Sequence, residues 1–174
     1  YSQMLHEDLF TPLGMKDTSL GAREDLMSRL CPVKVSYRDI PALLPPEAVE
    51  GLGDILTIPN GELPGGGCIS TVTDVHRFAE MLRGGGELEG NRILSPAMIE
   101  FCTQNHTGKQ RNILFDMWTG TRNWDFYPAN LGVGFFTRGT GNLPGLFSVM
   151  NSARTFGGFG AGSTGFTVDP EKDL

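Results

Sequence analysis

Two glycine runs, Gly65-Gly66-Gly67 and Gly84-Gly85-Gly86, bracket the stretch that most constrains how this chain can fold. Between them Val75, Phe78, Ala79 and Leu82 recur at helical spacing. Thr71 stands where a helix N-cap belongs, and Asp74 follows at the third position of a capping box. The second glycine run closes the helix, because Gly takes a left-handed backbone at little steric cost. The spacing therefore predicts a helix over 72–83. With 24 glycines and 11 prolines among 174 residues, the rest of the chain is restricted to short elements and tight turns.

Residues 1–10 read as the last turns of an amphipathic helix, with Met4, Leu5 and Leu9 on one side. Thr11-Pro12-Leu13-Gly14-Met15 stops it. A short helix is predicted over 22–30, ended by Pro32, and a strand over 34–39. Residues 40–69, full of Pro and Gly, read as one long loop suited to lining a pocket. Residues 87–94 read as a small hairpin. Ser95 and Pro96 then open a helix over 96–104 as cap and first residue, with Leu94 and Ile99 stapling its start. From about residue 113 the pattern turns to strands, predicted over 131–138, 146–150 and 163–168.

The net charge of −6 argues against nucleic acid as a partner, because an acidic surface repels phosphate backbones. A 39% hydrophobic content supports a packed core rather than disorder. No apolar run approaches the ~18 residues of a spanning helix, so no membrane partner is expected. Cys31, Cys68 and Cys102 cannot all pair. They read as buried free thiols, which favours a reducing compartment such as the cytoplasm. The first residue is not Met and falls within a helical pattern, and the last residues form a hairpin-like turn. The expectation is a piece of a longer protein, whose open strand edge would associate with a complementary segment or with itself.

Several motif-like runs have plain readings. Gly160 to Gly165 spells G-x-G-x-x-G, but a strand and a Pro turn follow where a nucleotide site needs a helix. His6, His76 and His106 have no metal-ligand spacing, so no metal or other cofactor is expected. Asn105-His106-Thr107 reads as a chance glycosylation sequon. No Ser has Lys three residues later. Cys31-Pro32-Val33-Lys34 mimics that spacing, but Pro32 breaks the helix the geometry needs. No Tyr-x-Asn, Ser-x-Asn or G-x-S-x-G is present.

Four blocks nevertheless resemble one family, in its order, over nearly the whole chain. They are Leu9 to Thr18 around Pro12-Leu13-Gly14-Met15; Gly65 to Thr71 running into Asp74 and Phe78-Ala79; Gly86 to Pro96; and Phe156 to Gly162 with Val168-Asp169-Pro170. Together they resemble the serine β-lactamase-related proteins: class C β-lactamases, D-alanyl-D-alanine carboxypeptidases, esterases and acyl transferases. The resemblance implies an α+β, β-lactamase/transpeptidase-like fold. Residues 1–174 would form part of a single domain, about 1–112 mostly helix and loop, and about 113–174 the start of a C-terminal antiparallel sheet.

The resemblance also implies attack by Ser on a small-molecule ester or amide, through an acyl-enzyme. The family's Ser-x-x-Lys and Tyr-x-Asn motifs precede its Pro-Leu-Gly-Met segment, so no catalytic residue is expected in this chain, which alone should be inactive. The third motif is Lys-Thr-Gly, His-x-Gly or Trp-Gly-Gly in the family. It falls here at Phe156-Gly157-Gly158, and Phe156, Gly157, Gly158 and Phe159 are the implied substrate-binding residues. The family's cation is missing there, which favours a carboxylesterase over a β-lactamase. On this reading Phe156→Lys would restore the cation, and Gly158→Val would block the site at little cost to stability. His106-Thr107-Gly108 spells the His-x-Gly form but reads as a helix-exit loop. The other reading of the chain is a non-catalytic ligand-binding relative that has lost its nucleophile.

Overall fold

A computed structural model describes residues 1–35, 45–59, 61–121, 123, 126–141, 146–160, 164–172 and 174. Helix α1, Ser2–Leu5, runs on into a π-helical turn, His6–Phe10. Leu13 after it is completely buried. Gly14 adopts a φ of +64°, the left-handed region that favours glycine, and the Arg77 guanidinium lies over it. Arg77 Nε donates to the Leu13 carbonyl, and its Nη2 meets Glu89 at 2.6 Å. One side chain thus ties the first turn to the later hairpin.

Strand β1, Ser19–Leu20, pairs antiparallel with β2, Cys68–Ile69. A 3-10 turn, Glu24–Arg29, occupies the predicted short helix and is held to the preceding segment by Arg29 and Asp17 at 2.7 Å. Most of the predicted 34–39 strand lies outside the described residues. Within 40–69 the loop reading is corrected by α2, Pro46–Leu56. Two features disguised it. Pro45-Pro46 looks like a breaker, yet Pro46 takes the first helical position, where its missing N–H costs nothing. Gly51 and Gly53 lower the intrinsic helix preference, but Val33 packs where a Gly53 side chain would be, 3.1 Å from an ideal Cβ.

The 72–83 prediction matches α3, Val72–Arg83, with Thr71 Oγ1 accepting from the Asp74 N–H at 3.2 Å. The 87–94 hairpin is β3, Glu87–Leu88, and β4, Asn91–Arg92. Its turn places Glu89 at φ 49° and Gly90 at φ 83°, the left-handed pair of a tight hairpin. Helix α4, Pro96–Thr103, is capped by Ser95 Oγ, which accepts from Met98 N–H at 3.1 Å. A 3-10 turn, Ile113–Phe115, leads into α5, Asp116–Thr121.

The terminal sheet contains three described strands in the order β5-β6-β7, all antiparallel: Phe136–Thr137, Phe156–Phe159 and Gly165–Val168. Two strand predictions are corrected here. Residues 131–135 form a turn, with Gly132 N–H donating to Phe135 O at 2.9 Å and Gly134 at φ 81°, so only Phe136–Thr137 is strand. Residues 146–150 form a side-chain-braced turn. Asn151 Oδ1 accepts from Ser148 N–H at 3.0 Å, and Ser148 Oγ from Met150 N–H at 3.1 Å, which diverts those backbone groups from a ladder.

The core sits between the sheet, α3 and the α1 segment. Phe10, Leu13, Met15, Met81, Leu82, Ile99, Phe156 and Val168 are its buried members. The cysteine expectation is half right: all three thiols are free, but Cys31 and Cys68 are exposed and Cys102 is half-buried. No described helix is long and apolar enough to cross a membrane.

Candidate functional site

Strand β6 carries all four residues implied as substrate-binding, and its pairing decides where each side chain goes. Phe156 lies opposite Val168 and Gly158 opposite Phe166; Gly157 lies opposite Thr167 and Phe159 opposite Gly165. Phe156 and Gly158 therefore share one face, and Gly157 and Phe159 the other.

The first face is core. Phe156 is 2% exposed and its ring meets Phe135 edge-on at 5.3 Å. Gly158 lies beneath the ring of Phe166, which is in turn edge-on to Phe78 of α3 at 5.6 Å. A Cβ on Gly158 would stand 2.8 Å from Phe166 Cε1, and a Cβ on Gly157 would fall on the Phe166 carbonyl oxygen. These glycines let β7 approach β6 closely. Two expectations change accordingly. Phe156→Lys would bury an ammonium among phenyl rings rather than offer a cation to a ligand. Gly158→Val would displace the Phe166 ring, so it would not be neutral for stability.

The second face is aromatic and more open. Phe159 is half-buried, with Phe136 at 5.9 Å and Phe147 at 5.4 Å. Phe115 continues the array to Tyr127 at 5.0 Å. A cavity of about 30 Å3 lies among Tyr127, Asn130, Phe136, Arg138 and Phe147, room for about one water. Burial pushes the Tyr127 phenol above its ordinary pKa, against an opposing hydrogen bond from Leu146 N–H. The nearby Arg138 is fully occupied by carbonyls: Gly139 at 2.7 Å, Gly141 at 3.1 Å, and Ser148 and Val149 at 3.2 Å each. It ties Gly139 and Gly141 to Ser148 and Val149 instead of presenting a charge.

His106 follows α4 in a turn built by Asn105, whose Oδ1 accepts from Thr107 N–H and Gly108 N–H at 3.0 Å each. The exposed His106 ring lies tilted against Phe101, with ring centroids 4.7 Å apart, and bonds the Phe101 carbonyl at 2.7 Å. The helix-exit reading of this segment holds. Asn105 Nδ2 donates to Asn130 Oδ1 at 2.9 Å, so the sequon amide is engaged. His76 is exposed on α3, as a surface histidine should be, and no described residues cluster as metal ligands. Of the G-x-G-x-x-G run, residues 161–163 lie outside the described ones; a strand, β7, follows it.

Sequence reasoning passed over two buried carboxylates. Asp74 accepts from Asp17 N–H at 2.8 Å and Thr18 Oγ1 at 2.7 Å, while Ser70 Oγ lies 2.7 Å from Thr18 Oγ1. The capping box hinted at Asp74, but the partners far away in sequence left no local signal. Asp169 is fully buried and accepts from Ser152 Oγ at 2.6 Å, Ser152 N–H at 2.8 Å and Glu171 N–H at 3.2 Å. Burial acts to raise its pKa, but the Ser152 and Asn151 hydrogen bonds outweigh it and hold the carboxyl well below the usual carboxylate range.

One family profile, described as Beta-lactamase, matches residues 1–174. The chain belongs to the beta-lactamase family. Its fold is accordingly the β-lactamase/transpeptidase-like α+β fold. A solved structure of a novel penicillin-binding protein homolog from Caulobacter crescentus superposes with a TM-score of 0.68 at 22% identity. It covers 99% of this chain and 44% of that one. A protein from Bacteroides dorei DSM 17855 assigned as a beta-lactamase gives a TM-score of 0.51 at 14% identity, covering 99% and 40%. At these identities the likeness is one of fold. The chain spans less than half the length of both solved relatives. Among curated proteins no relative matches.

Proposed function

We propose that these residues are part of a serine hydrolase that works through an acyl-enzyme and prefers neutral esters to β-lactams. Membership of the beta-lactamase family over residues 1–174 supports the serine-hydrolase kind. The preference for neutral esters rests on one observation: β6 presents only phenyl rings and glycine backbone on either face. A β-lactam carboxylate needs a cationic or hydrogen-bonding partner, and the neighbouring Arg138 is already committed to carbonyls.

In this reading Phe159 borders the acyl site on the open face of β6, and Phe156, Gly157 and Gly158 hold the strand in place. The Ser-x-x-Lys pair and the Tyr-x-Asn motif are contributed by another part of the polypeptide, because no Ser of the 174 residues has Lys three positions later. The test is labelling of the longer natural polypeptide with a fluorophosphonate probe. Stoichiometric labelling of one Ser, followed one turn later by Lys, is the expected result. Absence of labelling in a folded, full-length protein would favour the non-catalytic ligand-binding reading.

A further inference from the structure

We propose that the outer edge of β7 accepts a further strand of the same polypeptide, antiparallel and in a register set by the Asp169–Leu174 pair. The alternation of backbone groups shows what that edge offers. Thr155 O accepts from Arg138 N–H on the β5 side of β6. By alternation Phe156 and Gly158 turn their backbone groups toward β7, where their partners are Val168 and Phe166. Gly160 N–H donates to Thr164 O at 2.9 Å on the same side. Thr164, Phe166 and Val168 therefore face β6, and Gly165 and Thr167 point their N–H and C=O groups away from it. Among the described residues no hydrogen bond reaches those groups, and no strand lies beyond β7.

The occupant follows from the turn after β7. Asp169 N–H donates to Leu174 O at 2.6 Å, and Leu174 N–H donates to Asp169 O at 3.2 Å. Such a mutual pair is a rung of an antiparallel ladder, and it brings the backbone at Leu174 back alongside β7. Continued in this register, the second residue after Leu174 falls opposite Thr167 and the fourth opposite Gly165. Both solved relatives are more than twice as long as this chain, which leaves ample length for such a strand in a longer polypeptide. Gly165–Val168 carries no charge, proline or bulge, the devices that keep an edge strand unpaired. Pairing on this edge holds Phe166 over Gly158 and so steadies the strand that carries Phe159. The assignment does not depend on the catalytic reading, since it uses backbone groups alone.

The test is amide hydrogen exchange, followed by NMR, on the longer natural polypeptide, with Phe166 and Val168 as internal references. Gly165 and Thr167 N–H should exchange within ~10-fold of those two, as members of one cooperative unit. Faster exchange at Gly165 and Thr167 than that is the pattern of a free edge and would overturn the proposal. In the 174-residue chain the same two amides should exchange freely at every protein concentration. Protection that rises with concentration would make a second copy the occupant and overturn the assignment. Thr167→Pro removes the outward N–H, whereas Thr167→Ala keeps it. In the longer polypeptide the Pro variant should melt at least ~2 °C below the Ala variant, the scale of one lost hydrogen bond. Equal melting temperatures would also overturn the proposal. If the Pro variant does not fold, exchange in the wild type decides.

Discussion

The Thr18 hydroxyl donates a 2.7 Å hydrogen bond to the Asp74 carboxylate, joining positions 56 residues apart. The same oxygen of Asp74 accepts from the Asp17 N–H. Asp74 is 6% exposed and Thr18 3%, so the Thr18 hydroxyl cannot turn to water. Asp74→Ala leaves the Asp17 N–H without this acceptor and Thr18 with Ser70 Oγ as its remaining partner, and should cost about 1–3 kcal/mol, the penalty of a donor left without its partner. Asp74→Asn keeps one acceptor oxygen and should cost less. Urea denaturation of the three proteins checks the order. Equal stability of wild type and Asp74→Ala would show that this contact does not fasten α3 to the first turn.

Gly157 and Gly158 should differ in what they tolerate. A methyl at Gly158 meets the edge of the Phe166 ring, which can shift, whereas a methyl at Gly157 meets the Phe166 carbonyl oxygen, which β-pairing fixes. Gly157→Ala should therefore destabilise more than Gly158→Ala, and both should fall near the ~1–3 kcal/mol of overpacked sites. Melting temperatures of the two variants decide this. The reverse order would mean that the strand pair yields more readily than the ring.

Asp169 ties stability to acid. Its folded pKa is held below the ordinary value, so its contribution is fully present above the unfolded pKa of about 3.9 and is lost as pH falls from there toward the folded value. Asp169→Asn should lower stability at neutral pH by about 1.5–3 kcal/mol, the scale of hydrogen bonds to a charged group. It should also flatten the acid limb of the stability curve. Carboxylates such as Asp17, held low by the Arg29 hydrogen bond, remain in both proteins. The difference between the two pH profiles therefore isolates Asp169. Parallel profiles would remove it as an acid-sensitive anchor.

Much of the fold was legible because the signals were local. The Thr71 and Ser95 caps, the glycine run after Arg83 and the Glu89-Gly90 turn each declare themselves within a few residues. Helix α2 was not, because its glycines and prolines oppose it locally and packing by Val33 favours it from outside. The 146–150 turn was missed for a related reason: its apolar residues suggest a strand, while Ser148 and Asn151 take its backbone groups. At the candidate site, the local pattern predicted no strand at Phe156–Phe159, and only the family resemblance singled out Phe156-Gly157-Gly158. The burial of Phe156 was not legible, because side-chain direction depends on the register with β7.

The 174-residue chain by itself should hydrolyse neither short p-nitrophenyl esters nor a chromogenic cephalosporin above a denatured control. The reason is chemical: without a Ser-Lys pair nothing generates the nucleophile. Saturable turnover that persists through repurification would locate a nucleophile among these residues.

The most direct measurement is kcat/KM of the longer natural polypeptide on p-nitrophenyl acetate and on a chromogenic cephalosporin, under one set of conditions. A strand without charge beside the acyl site predicts a preference for the ester of at least ~10², the scale on which an unmet polar requirement discriminates between substrates. Equal efficiency on the two substrates, or faster turnover of the cephalosporin, would contradict the account.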